Sequence, residues 1–373
     1  MKFLLSILFV LTTLTLFSQQ KKETNSYPPV FDSLISHYEY YFGEEQPLQL
    51  PVLHNGPTYK LVLGQEALHL SLTDTVLADT QQGYPLSYSV IFRDHIVSLF
   101  EPGKFYCYSL TTLSRNADLE NKLNTRPFSY HWLLNNQLVA RSGEDYYYFA
   151  TDSTWKPVKH PMIPYSTPKL FEDEMYICYS SCSGEWGGTL YFYNKKNKQT
   201  YYTEATCANT VIKKEGKYYV LAHLGHMEGF TTLKMIKRPD LLPQLRKAPG
   251  RNDSIKYAGW PGNTIKENTY DSTIIDLMGV QFFSTFTINN RTVYLIHDDC
   301  RTFLAEKSGN TYTILHPLFN SALYTHEPVT TEYASAWLVN MDFGRIGKDR
   351  EIALLLIRNN KITRINWGRL HKF

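Results

Sequence analysis

One pattern recurs along the chain and limits the folds open to it: an apolar strand, a polar loop and a second apolar strand. The pattern occurs six times, in residues 95–110, 137–152, 174–194, 217–236, 291–306 and 335–357. Each apolar run has the length of a β-strand. Equivalent points near the ends of the first strands lie 41, 38, 43, 75 and 43 residues apart, at Leu99, Ala140, Cys178, Leu221, Ile296 and Val339.

A unit of several strands that repeats every forty-odd residues is typical of a β-propeller, because a four-stranded blade must stack on its neighbours to bury both faces. We interpret the doubled spacing as one blade obscured by a polar insertion at about 237–271. Together with one blade before residue 95, this predicts an all-β propeller of about seven four-stranded blades. Six or eight blades, or a large β-sandwich, are the alternatives. If the hairpins are the second and third strands of their blades, all their loops emerge at one end.

The composition supports a globular β-rich fold. Of the 373 residues, 43% are hydrophobic and 14% aromatic, with 28 Tyr and 20 Phe. Tyr and Phe favour strands, and this apolar content excludes a disordered chain. The 38 Lys and Arg nearly balance the 35 Asp and Glu, for a net charge of +3. That balance lacks the concentrated basic excess of nucleic-acid-binding proteins.

The N-terminus has the layout of a signal peptide at residues 1–18. Lys2 precedes an apolar run from Phe3 to Phe17, and the small residue Ser18 is followed by polar residues. The run has about 15 residues, whereas a membrane-spanning helix needs about 20. We therefore expect an exported protein, periplasmic or extracellular, whose mature chain has no membrane span.

Two further segments complete the predicted organisation. Residues 19–57 form an N-terminal segment with a short helix, because Phe31, Leu34 and Tyr38 recur at helical spacing. Residues 58–373 form the propeller-like domain, which includes a short helix at about Ala117–Leu123.

The five cysteines suggest one disulfide. Export permits disulfides, and the spacing of Cys178 and Cys182 lacks the second pair that a zinc site requires. Cys182 lies in a hairpin loop, and Cys207 lies between two strands, where one blade leads into the next. Both positions fall at the same end of a propeller, so we predict a Cys182–Cys207 disulfide and a buried Cys178 thiol. The alternative is that all five cysteines are buried as small hydrophobic residues.

Three hairpin loops carry the candidate ligand-binding residues, which are Glu185 and Trp186; His223, His226 and Glu228; and His297, Asp298 and Asp299. In the first loop, small residues admit a ligand to the backbone and the Trp offers a stacking face, unless it folds back onto the core. The His and acidic residues of the second loop could position a proton donor or a metal. The adjacent Asp residues of the third suit a sugar hydroxyl or Ca²⁺, or cap their own turn. Polar loops without any ligand are the plainer interpretation of the second and third.

The motifs of common enzymes are absent from the sequence, including GxSxG, Walker A and HExxH. We therefore expect a non-catalytic binding protein that presents its loops to an extracellular glycan or protein, with no cofactor, metal or nucleic acid. The alternative is a secreted glycoside hydrolase or lyase whose loop carboxylates stand about 5 to 9 Å apart. The sequence leaves the oligomeric state open.

Overall fold

The computed structural model describes residues 27–42, 48–77, 85–159, 162–225, 229–245, 270–298, 301–319, 325, 327–341 and 354–367. The predicted signal peptide lies outside these ranges. Within them, no helix is long and apolar enough to cross a membrane.

The described chain contains two α-helices, α1 (Asp32–Phe42) and α2 (Ala117–Leu123). The strands in chain order are β1 (Val52–Asn55), β2 (Lys60–Leu63), β3 (Ser71–Leu77), β4 (Val90–Phe92), β5 (His95–Phe100), β6 (Lys104–Ser109), β7 (Tyr130–Leu134), β8 (Gln137–Ser142), β9 (Asp145–Phe149), β10 (Trp155–Val158), β11 (Lys169–Glu172), β12 (Tyr176–Cys182), β13 (Gly188–Asn194), β14 (Thr200–Glu204), β15 (Ala208–Lys214), β16 (Lys217–Leu224), β17 (Phe230–Ile236), β18 (Asp271–Met278), β19 (Gln281–Ile288), β20 (Arg291–Asp298), β21 (Arg301–Ser308), β22 (Thr311–Phe319), β23 (Val329–Tyr333), β24 (Ala336–Asn340), β25 (Leu354–Arg358) and β26 (Lys361–Trp367).

These strands form six sheets, each of which is one blade of a propeller. From the inner to the outer strand, blade 1 is β4–β6, blade 2 is β7–β10, blade 3 is β11–β14, blade 4 is β15–β18, blade 5 is β19–β22 and blade 6 is β23–β26. The predicted all-β propeller is confirmed, with six blades, which was an alternative, in place of the preferred seven.

The difference in blade number has two causes. The polar insertion after β17 falls between the third and fourth strands of blade 4, since β17 and β18 on either side of it pair with each other. The strands before residue 95 also make no blade of their own. Strand β2 pairs in parallel with β22 at the outer edge of blade 5, and β3 pairs in parallel with β26 at the outer edge of blade 6.

Each of the six hairpins found in the sequence is the second and third strand of its blade, from β5–β6 in blade 1 to β24–β25 in blade 6. Antiparallel pairing then brings the loops of all six hairpins to one end of the molecule. The links that join each outer strand to the next inner strand lie at the same end. We call this end the loop face.

The inner strands fill the centre of the ring. Strand β23 of blade 6 contacts β11 and β15 of blades 3 and 4 across the axis. Val329 of β23 accordingly packs in one hydrophobic cluster with Leu170, Ala208 and Val211. An axial ligand would therefore be met at the mouth of the ring, above these packed strands.

The N-terminal helix packs against blades 4 and 5. Phe31, Leu34 and Tyr38 are fully or almost fully buried in a cluster that includes Leu221 of blade 4 and Phe282 of blade 5. Leu34 and Tyr38 lie in α1, and Phe31 ends the 3₁₀ turn just before it. The helical spacing of these three residues predicted the helix. Helix α2 has the bounds expected from the sequence.

Candidate functional site on the loop face

A disulfide ties the loop face together between blades 3 and 4. Cys182 ends β12 and Cys207 precedes β15, and the two are joined as expected from the order of the strands. Gly188 makes this approach sterically feasible. A Cβ at residue 188 would lie 2.6 Å from the Ser181 carbonyl oxygen and 2.9 Å from the Cys207 nitrogen. Cys178 is a buried thiol in β12.

The disulfide forms one wall of a cavity of about 210 Å³ at the mouth of the ring. Its lining comes from the start of four inner strands with the links before them, and from the end of β12. It comprises Tyr88, Ser166, Thr167, Pro168, Ser180, Ser181, Cys182, Cys207, Ala208, Glu327, Pro328 and Val329. Hydroxyls, one carboxylate and one phenol share this lining with apolar side chains and the disulfide. A space of this size admits one sugar ring or one side chain of a larger ligand.

Hydrogen bonds between blades fix the cavity wall. The Ser180 hydroxyl donates to the Ala208 carbonyl oxygen at 3.3 Å, joining blade 3 to blade 4. At the junction of blades 6 and 1, the Asn340 side chain accepts from the Ser89 backbone nitrogen at 2.7 Å and donates to the Ser89 carbonyl at 3.1 Å. The groups around the mouth are therefore held by contacts between neighbouring blades.

Glu327 and Tyr88 form the charged side of the cavity. The Tyr88 hydroxyl lies 3.3 Å from the Glu327 carbonyl oxygen and 3.5 Å from its carboxylate, and Glu327 is exposed. Burial raises the pKa of the neighbouring Tyr130, and the negative charge of Glu327 raises it further. Sequence reasoning missed both residues because it searched hairpin loops and not the links. Their position just before an inner strand is the signal that could have found them.

Glu185 and Trp186 lie in the hairpin loop of blade 3, three and four residues after Cys182. They belong to a single 3₁₀ turn, Gly184–Trp186, which Gly187 closes with a φ of 95°. The Trp186 side chain is 62% exposed, so it projects to solvent and does not fold back onto the core. This indole is the largest exposed apolar surface that the described loops present.

His223 and His297 come from neighbouring blades and contact the same ring. The His223 imidazole meets Phe283 edge-on at 5.3 Å between centroids, and His297 stacks on Phe283 at 5.1 Å. His223 is fully buried, and its Nδ1 lies 3.0 Å from the Asn209 amide nitrogen. Because an amide NH₂ only donates, this Nδ1 is the acceptor. His223 thus packs between blades, beneath the loop in which it was expected.

Asp298 faces the N-terminal helix. It is 7% exposed and accepts hydrogen bonds from the hydroxyls of Tyr38 at 2.6 Å and Tyr59 at 3.2 Å. These contacts attach the N-terminal segment to blade 5. The structure therefore gives Asp298 an anchoring contact within the protein.

The remaining candidates, His226, Glu228 and Asp299, lie outside the described residues. Within the described ranges, no three His, Cys, Asp or Glu side chains are grouped as a metal site requires.

No protein-family model matches the chain, and no curated protein sequence matches it. Solved structures with a similar fold include the β-propeller domain of Cps50 (Swd1) from Myceliophteria thermophila, with 11% identity, a TM-score of 0.36 and coverage of 69% of this chain and 79% of that one. BamB from Moraxella catarrhalis has 11% identity, a TM-score of 0.33 and coverage of 69% and 66%. The extracellular domain of a hybrid two-component system from B. thetaiotaomicron has 9% identity and a TM-score of 0.38. The alignment with that domain covers 79% of this chain and 33% of that one. Such identities concern the fold alone.

Proposed function

We propose that the protein is a non-catalytic binding protein that receives part of an extracellular glycan at the mouth of its ring. The observation that carries the proposal is the axial cavity, whose lining of hydroxyls, backbone groups and one carboxylate is held by links from several blades. Sugars are bound through such convergent polar groups, combined with an aromatic face for the apolar side of the ring.

Trp186 supplies a stacking face of this kind. It stands on the loop that begins at Cys182, and Cys182 lines the cavity. A glycan chain that places one residue in the cavity could lay the next sugar on the indole. Glu327 would accept hydrogen bonds from sugar hydroxyls, because an ionised carboxylate is a strong acceptor.

The catalytic alternative receives less support from the site. It requires two carboxylates that both reach the substrate. Asp298, one of its candidates, is buried and engaged by two tyrosine hydroxyls. Asp298→Asn should accordingly change stability and leave glycan binding intact in the folded protein.

The test is binding of the purified protein to an array of bacterial and host glycans, followed by titration calorimetry with the best ligand. Trp186→Ala and Glu327→Gln should each weaken binding by about tenfold or more, which corresponds to about 1.4 kcal/mol. The matched controls are Leu241→Ala and Glu174→Gln. Leu241 is an exposed apolar side chain of the insertion in blade 4, and Glu174 is an exposed carboxylate at the opposite end of blade 3. Equal losses in the controls, or binding unaffected by both site variants, would exclude this site.

We also propose that the chain is exported after removal of residues 1–18. The disulfide at the loop face supports this, because such bonds persist in oxidising compartments. Mass spectrometry of the protein recovered from its natural host should find a mature N-terminus at Gln19. A chain that retains Met1 in the cytoplasm would contradict the proposal.

A further inference from the structure

Blades 6 and 1 are neighbours with different numbers of strands. Blade 6 carries β3 outside its four strands and so has five, whereas blade 1 has three. All of residues 110–129, between β6 and blade 2, are described, and they contain no fourth strand. The two outer strands of blade 6 therefore extend beyond the edge of blade 1.

Helix α2 closes the outer edge of β6 through side chains, but it does not cover the side of blade 1 that faces blade 6. Its buried residues Leu119 and Leu123 pack in the cluster between blades 1 and 2, on the other side of blade 1. On the side that faces blade 6, an open groove lies beneath the overhanging strands β26 and β3. We call it the seam groove.

The seam groove consists of two adjoining cavities of about 400 and 570 Å³. Thr111, Leu113 and Lys361 line both cavities, so the groove is continuous from the turn before β26 to the end of β3. The strand β3 supplies residues 73–77 to its wall. Since successive side chains alternate between faces, and Leu77 packs in the core between blades 6 and 1, Thr73 and Thr75 point to the same side as Leu77.

The edge of β3 is the second component of the groove. In the described part of the chain, β3 is the outermost strand of its sheet, and its ladder runs only to β26. A terminal strand presents backbone donors and acceptors that another extended chain can pair with. The seven residues of β3 offer a length of about 23 Å.

The charges along the groove select the occupant. Arg358 and Lys361 line it, as does Arg115, whose charge is balanced by Glu120 at 2.9 Å. Asp74 is the one carboxylate of the lining. Asp74 is already paired with Arg364 through two contacts of 2.5 Å. Lys361 is exposed and makes no ion pair with the described residues. The groove therefore presents the positive charges of Arg358 and Lys361 beside β3, the terminal strand of the described sheet.

We propose that the seam groove is a docking site for an extended acidic peptide segment of another protein, which adds a strand to β3 and places its carboxylates near Lys361. This site is distinct from the loop-face cavity and does not depend on the function proposed for that cavity. The backbone edge would supply affinity, and the basic lining would select acidic sequences.

The test uses the purified protein and an octapeptide of alternating glutamate and threonine with blocked ends. Fluorescence anisotropy should detect binding that weakens with salt, and hydrogen exchange should show new protection of the β3 amides. Lys361→Glu should weaken binding by about tenfold, because a like charge then faces the peptide. Lys214→Glu is the matched control, an equally exposed lysine at a strand end of blade 4, and should bind as the unmodified protein does.

Three results would overturn the proposal. The first is equal binding of an octapeptide of alternating lysine and threonine, which would remove the charge selection. The second is binding of the acidic octapeptide without protection of the β3 amides. In that case polygalacturonate, an acidic polymer that cannot add a strand, should bind equally well. The third is protection of β3 by self-association of the protein alone, which would assign the edge to a second copy.

Discussion

Blades 1 and 3 solve the same two structural problems by different means. Each must satisfy the backbone of its outer strand, and each must be joined to the next blade. In blade 3, β14 is covered by backbone from the insertion of blade 4, since Tyr202 N donates to Pro243 O and Leu245 N donates to Thr200 O. In blade 1, a short stretch of backbone covers one end of β6, since Ser109 N donates to Ser114 O and Asn116 N donates to Cys107 O. Side chains from α2 and its C-cap satisfy the rest of the edge.

The edge of blade 1 is closed by Asn124 and Glu120. The Asn124 amide accepts from Phe105 N at 2.7 Å and donates to Phe105 O at 2.9 Å, as a paired strand would. Glu120 accepts from Cys107 N at 3.0 Å and is itself held by Arg115 at 2.9 Å. Two side chains, together with the backbone bridge between Tyr108 and Arg115, thus take the place of a strand. A blade therefore needs its backbone groups satisfied rather than a complete fourth strand.

The joints to the next blade also differ. Blade 3 is linked to blade 4 by the Cys182–Cys207 disulfide. Blade 1 is linked to blade 2 by His131, whose Nδ1 lies 2.6 Å from the Ser87 hydroxyl and whose Nε2 lies 3.2 Å from the Val97 carbonyl oxygen. A carbonyl only accepts, so Nε2 carries the proton and Nδ1 accepts from Ser87. The first joint should respond to reductant and the second to pH.

The largest effect is expected at the His131 joint. Burial lowers the pKa of His131 from 6.5 to about 4. As the pH falls below 6.5, the unfolded chain takes up the proton before the folded protein does, so stability is lost between pH 6.5 and 4. The loss should reach about 3 to 4 kcal/mol. Urea unfolding at several pH values measures it, and His131→Gln should flatten this slope. Identical slopes in both proteins would contradict the assignment.

Removal of the disulfide comes next. It closes a loop across a sequence separation of 25 residues. Cys182→Ala with Cys207→Ala should lower the free energy of unfolding by about 3 kcal/mol, because the unfolded chain gains conformational freedom. Guanidinium unfolding measures the loss. Dithiothreitol should lower the free energy of unfolding of the unsubstituted protein to the same level and leave the double variant unchanged. If the reductant also destabilised the double variant, its effect would not come from this disulfide.

A smaller loss is expected at the edge of blade 1. Glu120→Ala leaves Cys107 N without its acceptor and removes the carboxylate that contacts Arg115. The free energy of unfolding should fall by about 2 kcal/mol. Glu120→Gln should recover part of this, since its amide oxygen can still accept. A loss as large in the Gln variant would show that the charge of Glu120, and not its capping of the strand, is what matters.

The smallest effect is expected at the edge of blade 3. Gln244 is exposed and lies between the two residues whose backbone covers β14. Gln244→Ala keeps that backbone, so the free energy of unfolding should change by less than about 0.5 kcal/mol. Thermal unfolding of Gln244→Ala beside Glu120→Ala makes the comparison direct. Similar losses in the two would mean that side chains close both edges.

Much of the fold was predictable because its signals are local. The six hairpins were visible as paired apolar runs, since a strand that packs between two blades is apolar along most of its length. Helix α1 was visible through Phe31, Leu34 and Tyr38. The number of blades was not predictable, because spacing along the sequence does not distinguish an insertion within blade 4 from an additional blade.

The candidate site was predictable only in part. The order of strands in a blade predicts which loops lie at the same end of the propeller. From that order, Cys182 was expected near Cys207, and Glu185 and Trp186 were expected on the loop face. It did not reveal Tyr88 and Glu327, which lie 239 residues apart in the chain and meet at the axis. It also did not show that Asp298 is engaged by Tyr38, 260 residues away.

The sequence by itself determined the repeating hairpins, the β-rich class and the end of the molecule that carries the loops, because period and strand length are properties of neighbouring residues. Only the tertiary structure decided how the ring is completed. Whether an early strand such as β3 starts a new blade or extends an old one depends on which distant edge it pairs with, and backbone hydrogen bonds leave no trace in side-chain pattern. The same long-range pairing produced the unequal blades and, between them, the seam groove.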